Sequence, residues 1–399
     1  MAKRQKRQPG FATQCVRAGD PEDQWGSVAP PIYQTSTFAS ANTREQWEVI
    51  EGKRLGHCYT RYSNPTIRCL EEKMAILEGG EDAVAFATGM AAVSACVLAT
   101  VKAGDRVVVQ RDVYGGTFEV FHRILPRMNV EVVTVDARNL DEVRAEARKG
   151  AKLLYVETPA NPLVHVVDLA GIARIGKECG ALTMCDSTFA TPANCRPIEF
   201  GIDVVIHSAT KYLGGHADLM AGVAVARKAY CELLEDMLRI LGGVIDPFAA
   251  WLVVRGIKSL EPRVRVHNEN AMACASFLAS HPRVRVVHYP GLPGHPQHEL
   301  ARRQMKGFGG VLSFELDGTT RQASAVVDRL RVFRVAPSLG AVESLALQPA
   351  ATTHSKLSPE ERQAAGIADT LVRLACGIES ADDLVEDLRQ ALDGRRGSR

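Results

Sequence analysis

The chain has 399 residues, 46% of them hydrophobic and 24% charged, with 48 Lys+Arg against 46 Asp+Glu and a formal net charge of +2. This is the composition of a globular protein too long for one core, so it predicts two domains. The balanced charge argues against a polyanionic partner such as nucleic acid. Ten cysteines without a C-x-x-C pair argue against a zinc site and a disulfide framework, and for reduced thiols in the cytoplasm.

In chain order, the one basic cluster is Lys3, Arg4, Lys6 and Arg7. No apolar run follows it, so it reads as a solvated tail and not as a secretory signal. Residues 1–62 show turn signals and no sustained periodicity, which predicts an arm. From Thr66, TIRCLEEKMAILEGG places Leu70, Met74 and Leu77 on one face and stops at Gly79-Gly80, which predicts a helix.

Residues 83–101 run nineteen positions without a charge, close to membrane length. Small residues dominate that run, and it divides at Gly89 into a buried strand and a helix, so no membrane span is expected. Strands are predicted at 83–87, 106–110, 130–135, 152–157, 182–186, 204–208 and 221–225, with helical segments at 139–149 and 168–179 among them. Alternating β and α segments imply an α/β fold with a mostly parallel sheet covered on both faces. Beyond residue 260 the pattern changes to a helix at 267–280, a Pro/Gly-rich loop, the strand GGVLSFEL, and helices near 320–331 and 380–392. The expected organisation is an arm (1–62), a large domain (63–260) and a smaller α+β domain (261–399).

In an open parallel sheet, ligands bind beyond the carboxyl ends of the strands. Here those ends carry Glu157 with Asn161 after it, then Asp186 with Ser187 and Thr188, then Ser208 with Thr210 and Lys211. Gly89 and Met90, at a helix start, would offer N–H groups to a phosphate, and Ser208 and Thr210 would add hydroxyls. A lysine is ordinarily a solvated surface residue. Beside a phosphate cradle and a carboxylate it fits pyridoxal phosphate, whose ring needs an amine to hold it and an acid at its nitrogen.

The sequence resembles the Cys/Met-metabolism family of pyridoxal-phosphate enzymes: cystathionine γ-lyase, cystathionine γ-synthase, methionine γ-lyase and the homoserine sulfhydrylases. The resemblance spans about Phe11 to Leu392. It rests on YQTSTF (33–38), YTRYSNPT (59–66), VYGGTF (113–118), VETPANP (156–162), CDSTFATP (185–192), HSATKYLGGH (207–216) and LVRLACGIES (371–380). It implies the fold-type I (aspartate-aminotransferase-like) architecture and a homotetramer of paired dimers.

By the same resemblance Lys211 is the Schiff-base lysine, Asp186 the partner of the pyridine nitrogen, and Tyr114 the tyrosine that stacks on the ring and exchanges protons. Gly89, Met90, Thr188, Ser208 and Thr210 surround the cofactor. Tyr59 and Arg61 reach the phosphate of the neighbouring subunit, and Asn161, Ser338 and Arg373 receive the substrate α-carboxylate.

The implied reaction is γ-elimination on cystathionine, methionine or homocysteine, giving 2-oxobutanoate, ammonia and a thiol. The alternative is γ-replacement on an O-acylated homoserine. A scaffold without activity would have no need of Lys211, Asp186, Tyr114 and Arg373 together, and a transaminase would not need the YGGT tyrosine.

Three positions depart from the family pattern. Pro337 precedes Ser338-Leu339-Gly340 where members that handle cystathionine usually carry glutamate. Glu119 stands where an arginine is common, and Gly116 where methionine γ-lyases typically have cysteine. Glu343 reads as a structural carboxylate. The histidines of the Pro/Gly loop, His288, His295 and His298, do not share a helix face, and no metal is expected.

Overall fold

The structure, a computed structural model, describes residues 9–20, 23–352, 362 and 366–394. The basic cluster at residues 3–7 lies outside them. A seven-stranded sheet is built from β1 (Asp82–Phe86), β2 (Arg106–Gln110), β3 (Glu131–Val135), β4 (Ala151–Glu157), β5 (Leu182–Asp186), β6 (Val204–His207) and β7 (Gly222–Ala226). Its order is β1-β7-β6-β5-β4-β2-β3, parallel throughout except that β7 runs antiparallel to both of its neighbours. The predicted strands therefore match to within a residue at either end.

The inner strands are largely apolar along their length because both faces are covered, whereas the edge strand β3 is only half-buried. Alternate residues go to opposite faces. Val107, Val109, Leu153, Tyr155, Val204 and Ile206 pack with the helices Gly89–Thr100 and Lys228–Leu241. Val108, Leu154, Val156, Cys185 and Val205 pack with Leu140–Ala147 and Leu169–Cys179. The helix Pro65–Glu78 is capped by Asn64, whose side chain accepts from Thr66 N, and ends at Gly79 in the left-handed conformation (φ 79°). It buries Leu70, Met74 and Leu77 completely, each contributing about 1.5–3 kcal/mol.

The second sheet has the order β10-β11-β12-β9-β8, from Arg334–Val335, Leu345–Leu347, Leu371–Ala375, Val311–Leu316 and Val284–His288. Two helices, Pro247–Ile257 and Leu260–Ala279, lie between the sheets in sequence. The second begins seven residues before the expected 267. Its early turns hid from the apolar pattern because Arg263, His267 and Asn270 are polar and yet buried. All three bond backbone carbonyls, of Tyr212 and Gly256, of Cys376, and of Gly377 and Glu379 respectively. The arm also holds two short helices, Phe11–Arg17 and Thr43–Ile50, that periodicity did not reveal. Among the described residues no helix is long and apolar enough to cross a membrane.

Candidate active site

The carboxyl ends of β1, β2, β4, β5 and β6 open on one edge of the large sheet, where the predicted strand-end residues gather and Ser338 and Arg373 meet them from the second sheet. Beyond β6 the chain turns through Ser208-Ala209-Thr210 to Lys211. The buried Arg263 holds that turn by donating to Tyr212 O at 2.8 Å. Lys211 Nζ donates to Ser338 Oγ at 2.7 Å, across from the other sheet. Burial, and then the nearby Arg373 cation, lower the Lys211 amine to about 8.

Asp186 closes β5. Its Oδ1 accepts from Thr188 N (3.0 Å) and Thr188 Oγ1 (2.5 Å), while Thr188 Oγ1 in turn accepts from Ser208 N at 2.8 Å. Among the described residues Oδ2 accepts no hydrogen bond, so one oxygen of this buried carboxylate is open. Burial raises the Asp186 carboxyl, and the bonds from Thr188 oppose that rise.

Across from it, the helix Gly89–Thr100 begins with Thr88 capping Ala91 N at 3.0 Å. The N–H groups of Gly89 and Met90 stand outside the helical ladder. A Cβ on Gly89 would lie 2.8 Å from Ser208 Cβ and 3.0 Å from Ser208 Oγ, so glycine lets the helix start and the Ser208 turn meet. Thr210 differs from the expectation. Its hydroxyl donates to Ala221 O and accepts from Ala221 N, so its proton is already used within the chain. Ser208 is left as the freer hydroxyl for an anion.

Arg373, in the middle of β12, is 4% exposed. Nη1 donates to Asn161 Oδ1 at 3.0 Å and Nη2 to Ser338 O at 2.5 Å. Nε is buried with no partner, and no carboxylate of the described residues pairs with this guanidinium. Burial lowers it to about 10. Ser338 bridges the two cations: its hydroxyl meets Lys211 and its carbonyl meets Arg373. It does so at φ 85°, a left-handed conformation that a non-glycine residue adopts at a cost of about 1–3 kcal/mol.

Tyr114 is half exposed and opens the short helix Gly115–Glu119. A Cβ on Gly116 would lie 2.8 Å from Tyr114 Cε1 and 2.7 Å from Met90 Sδ, which places Tyr114 and Met90 around one glycine. The Tyr114 N–H donates to Glu157 Oε2 at 2.8 Å. In sequence Glu157 only marks a strand end, although a carboxylate closing a buried strand is itself a signal.

Tyr59 and Arg61 are not joined to this cluster by any hydrogen bond among the described residues. Tyr59 is 41% exposed, and Arg61 donates to Arg239 O at 2.6 Å. Glu119 pairs with Arg123 one turn on, at 2.8 Å, and Pro337 and Glu343 are exposed. The loop histidines separate: His288 bonds Glu315, His298 bonds Pro290 O, and Gln297 N donates to His295 Nδ1. Among the described residues no group of three or more His, Cys, Asp or Glu is placed to hold a metal.

The arrangement fits pyridoxal phosphate. It offers free N–H groups and a hydroxyl at a helix start, a buried carboxylate with one open oxygen, an aromatic ring, and an amine lowered to about 8, closer to its nucleophilic form than an ordinary lysine. Residues 12–393 match the family described as Cys/Met metabolism PLP-dependent enzyme. The L-methionine γ-lyase of Pseudomonas putida is 42% identical over 387 residues, covering 96% of this chain and 97% of that one. The cystathionine γ-lyase of Bacillus subtilis (strain 168) is 43% identical over 373 residues, 93% and 96% of the two chains. Among solved structures, the cystathionine γ-synthase of Xanthomonas oryzae pv. oryzae in complex with cystathionine superposes with a TM-score of 0.92. It is 42% identical and covers 97% of this chain and 98% of that one.

Proposed function

The chain belongs to the Cys/Met-metabolism family of pyridoxal-phosphate-dependent enzymes, and on that premise we propose that it is a carbon–sulfur lyase. Its substrates are sulfur amino acids such as cystathionine, methionine or homocysteine, and its products are 2-oxobutanoate, ammonia and a thiol. The likeness to a cystathionine γ-synthase favours a second reading, γ-replacement on an O-acylated homoserine. The observation that carries the proposal is Arg373, a buried guanidinium with an unpartnered Nε and no acid paired with it among the described residues. An unpaired buried charge is costly, and a substrate α-carboxylate would remove that cost by accepting from the fork.

Bound here, pyridoxal phosphate would supply an electron sink for negative charge developing on the substrate carbons. Gly89, Met90 and Ser208 would hold its phosphate, and Asp186 Oδ2 would keep a proton on its ring nitrogen. Lys211, as a neutral amine, takes the proton from the substrate Cα; a second proton must then leave Cβ, and that C–H electron pair forms the Cβ–Cγ double bond as the Cγ–S bond breaks. Ser338 Oγ, within hydrogen-bond reach of Nζ, orients that amine. Arg373, fixed by Asn161 and the Ser338 carbonyl, sets the α-carboxylate and with it the direction of the Cα–H bond. Tyr114 delivers a proton to the departing γ-sulfur, in keeping with its place on the open side of the site.

In this reading the arm (1–62), the large domain (63–260) and the small domain (261–399) assemble as a cytoplasmic homotetramer. Tyr59 and Arg61 then reach the phosphate of a neighbouring subunit. Support comes from the arm's exposed apolar side chains, with Trp25 84% and Leu55 100% accessible in the single chain. The test is a substrate panel of cystathionine, methionine, homocysteine, cysteine and acylated homoserines, with and without added thiol. Oxo acid without thiol marks the lyase, thioether marks the replacement enzyme, and neither product would overturn both.

A further inference from the structure

Glu157 ends β4 and is 4% exposed. Each of its carboxylate oxygens accepts a backbone N–H: Oε2 from Tyr114 at 2.8 Å and Oε1 from Asn161 at 3.3 Å. The Glu157 backbone is itself held, its N–H donating to Gln110 Oε1 at 2.9 Å, while Gln110 Nε2 donates to Asp112 O at 3.1 Å. Those two N–H groups belong to loops that leave different strands, β2 and β4; farther from the site the same loops also meet where His165 Nδ1 and Asp112 Oδ2 lie 2.8 Å apart. Asn161 accepts from Arg373 through its side-chain oxygen, and Tyr114 is the proposed proton donor to the departing group.

We propose that Glu157 is a positioning residue that sets the proton-donating tyrosine and the carboxylate-binding arginine in register with each other. Resting on the proposed roles of Tyr114 and Asn161, the inference adds what holds those two loops at a fixed spacing where they meet the site, beyond the His165–Asp112 contact farther out. Glu157 also lies opposite Asp186 in the β4–β5 register. Burial first, and then the charge of Asp186, push the Glu157 carboxyl well up, and the N–H bonds from Tyr114 and Asn161 oppose that rise by favouring the ionised form. A solvent-facing structural role would not need a carboxylate at such a place, whereas two buried N–H groups pointing at one spot do need two acceptor atoms. An amide supplies only one, and leaves the second N–H facing another N–H.

The experiment uses Glu157→Gln, with hydrogen exchange measured by mass spectrometry on both cofactor-free and cofactor-loaded protein. Peptides covering 111–118 and 158–163 are followed. At least one of the two should exchange about tenfold or more faster in the variant, in either form, since an unpaired amide loses its protection. In the loaded enzyme, kcat per bound cofactor should fall through Tyr114 and KM should rise through Asn161 and Arg373, with kcat/KM down about tenfold or more. Unchanged exchange in both peptides overturns the clamp itself. Faster exchange with kcat and KM within about twofold of the parent overturns the catalytic consequence and counts against the placing of Tyr114 and Asn161. A lower melting temperature with normal kcat and KM per bound cofactor reduces Glu157 to a structural residue and overturns the proposal. If Glu157→Gln does not fold, Glu157→Asp, which withdraws both oxygens by one methylene, carries the same expectations.

Discussion

Lys211 Nζ and Ser338 Oγ lie 2.7 Å apart, although one residue follows a strand of the first sheet and the other precedes a strand of the second. The same serine presents its carbonyl to Arg373. The group proposed to remove the substrate proton and the group proposed to receive the substrate carboxylate are thus referenced to one residue held at φ 85°. The geometry explains how one amino acid would be seated and deprotonated without either loop moving independently.

Lys211→Ala should abolish turnover and the borohydride-reducible linkage between protein and cofactor. Reduction followed by peptide mapping checks it. A labelled peptide elsewhere in the variant would remove Lys211 from its role.

The Lys211 amine, lowered to about 8, predicts how attachment of the cofactor depends on pH. Only the neutral amine attacks a carbonyl, so the reconstitution rate should rise with pH through a midpoint near 8, about two units below an ordinary lysine. Arg373→Gln removes a neighbouring positive charge, so the midpoint should move upward, partially because burial is the larger cause. The same variant should raise the substrate KM about tenfold or more, from the loss of a charge-assisted contact worth ~1.5–3 kcal/mol.

Gly89→Ala should weaken cofactor retention while leaving the protein folded. The added methyl meets Ser208 Cβ at 2.8 Å and pushes the helix start away from the hydroxyl. Equilibrium dialysis against the parent, with circular dichroism as the folding control, would show equal retention if the phosphate binds elsewhere.

If Tyr59 and Arg61 serve the neighbour's cofactor, Arg61→Ala should lower retention about tenfold, again from a charge-assisted contact. Mixing Arg61→Ala with Lys211→Ala subunits should restore some activity, since each hybrid dimer can hold one complete site. No recovery in oligomers shown to be mixed would count against sharing.

Specificity gives the last prediction. Pro337 and Glu119 stand where charged partners for a zwitterionic tail are common, and Glu119 is already paired with Arg123. A site without such partners discriminates against the charges it cannot satisfy. Cystathionine should therefore be one substrate among several, and Pro337→Glu should raise its kcat/KM relative to methionine. A parent enzyme that strongly prefers cystathionine would place the reader of the distal end at another residue.

Much of the first sheet was legible because its strands are local. Most are apolar runs, and several, such as RVVVQ or KLLYVE, end in a polar residue; a two-faced buried strand leaves that mark in any context. The motifs placed Lys211, Asp186 and Gly89 on one edge for the same reason, since each follows directly from a strand end. Other features depended on partners far along the chain. The early turns of the helix Leu260–Ala279 look polar until Arg263, His267 and Asn270 are seen bonding carbonyls up to 109 residues away. Thr210 reads as an anion ligand until Ala221 takes its proton. Glu157 looks like one more strand end until two loops converge on it. Local pattern determines which elements form, because burial acts residue by residue. Which polar atoms remain free for chemistry is decided only by tertiary structure, because a hydrogen bond is exclusive and its partner can come from anywhere in the fold.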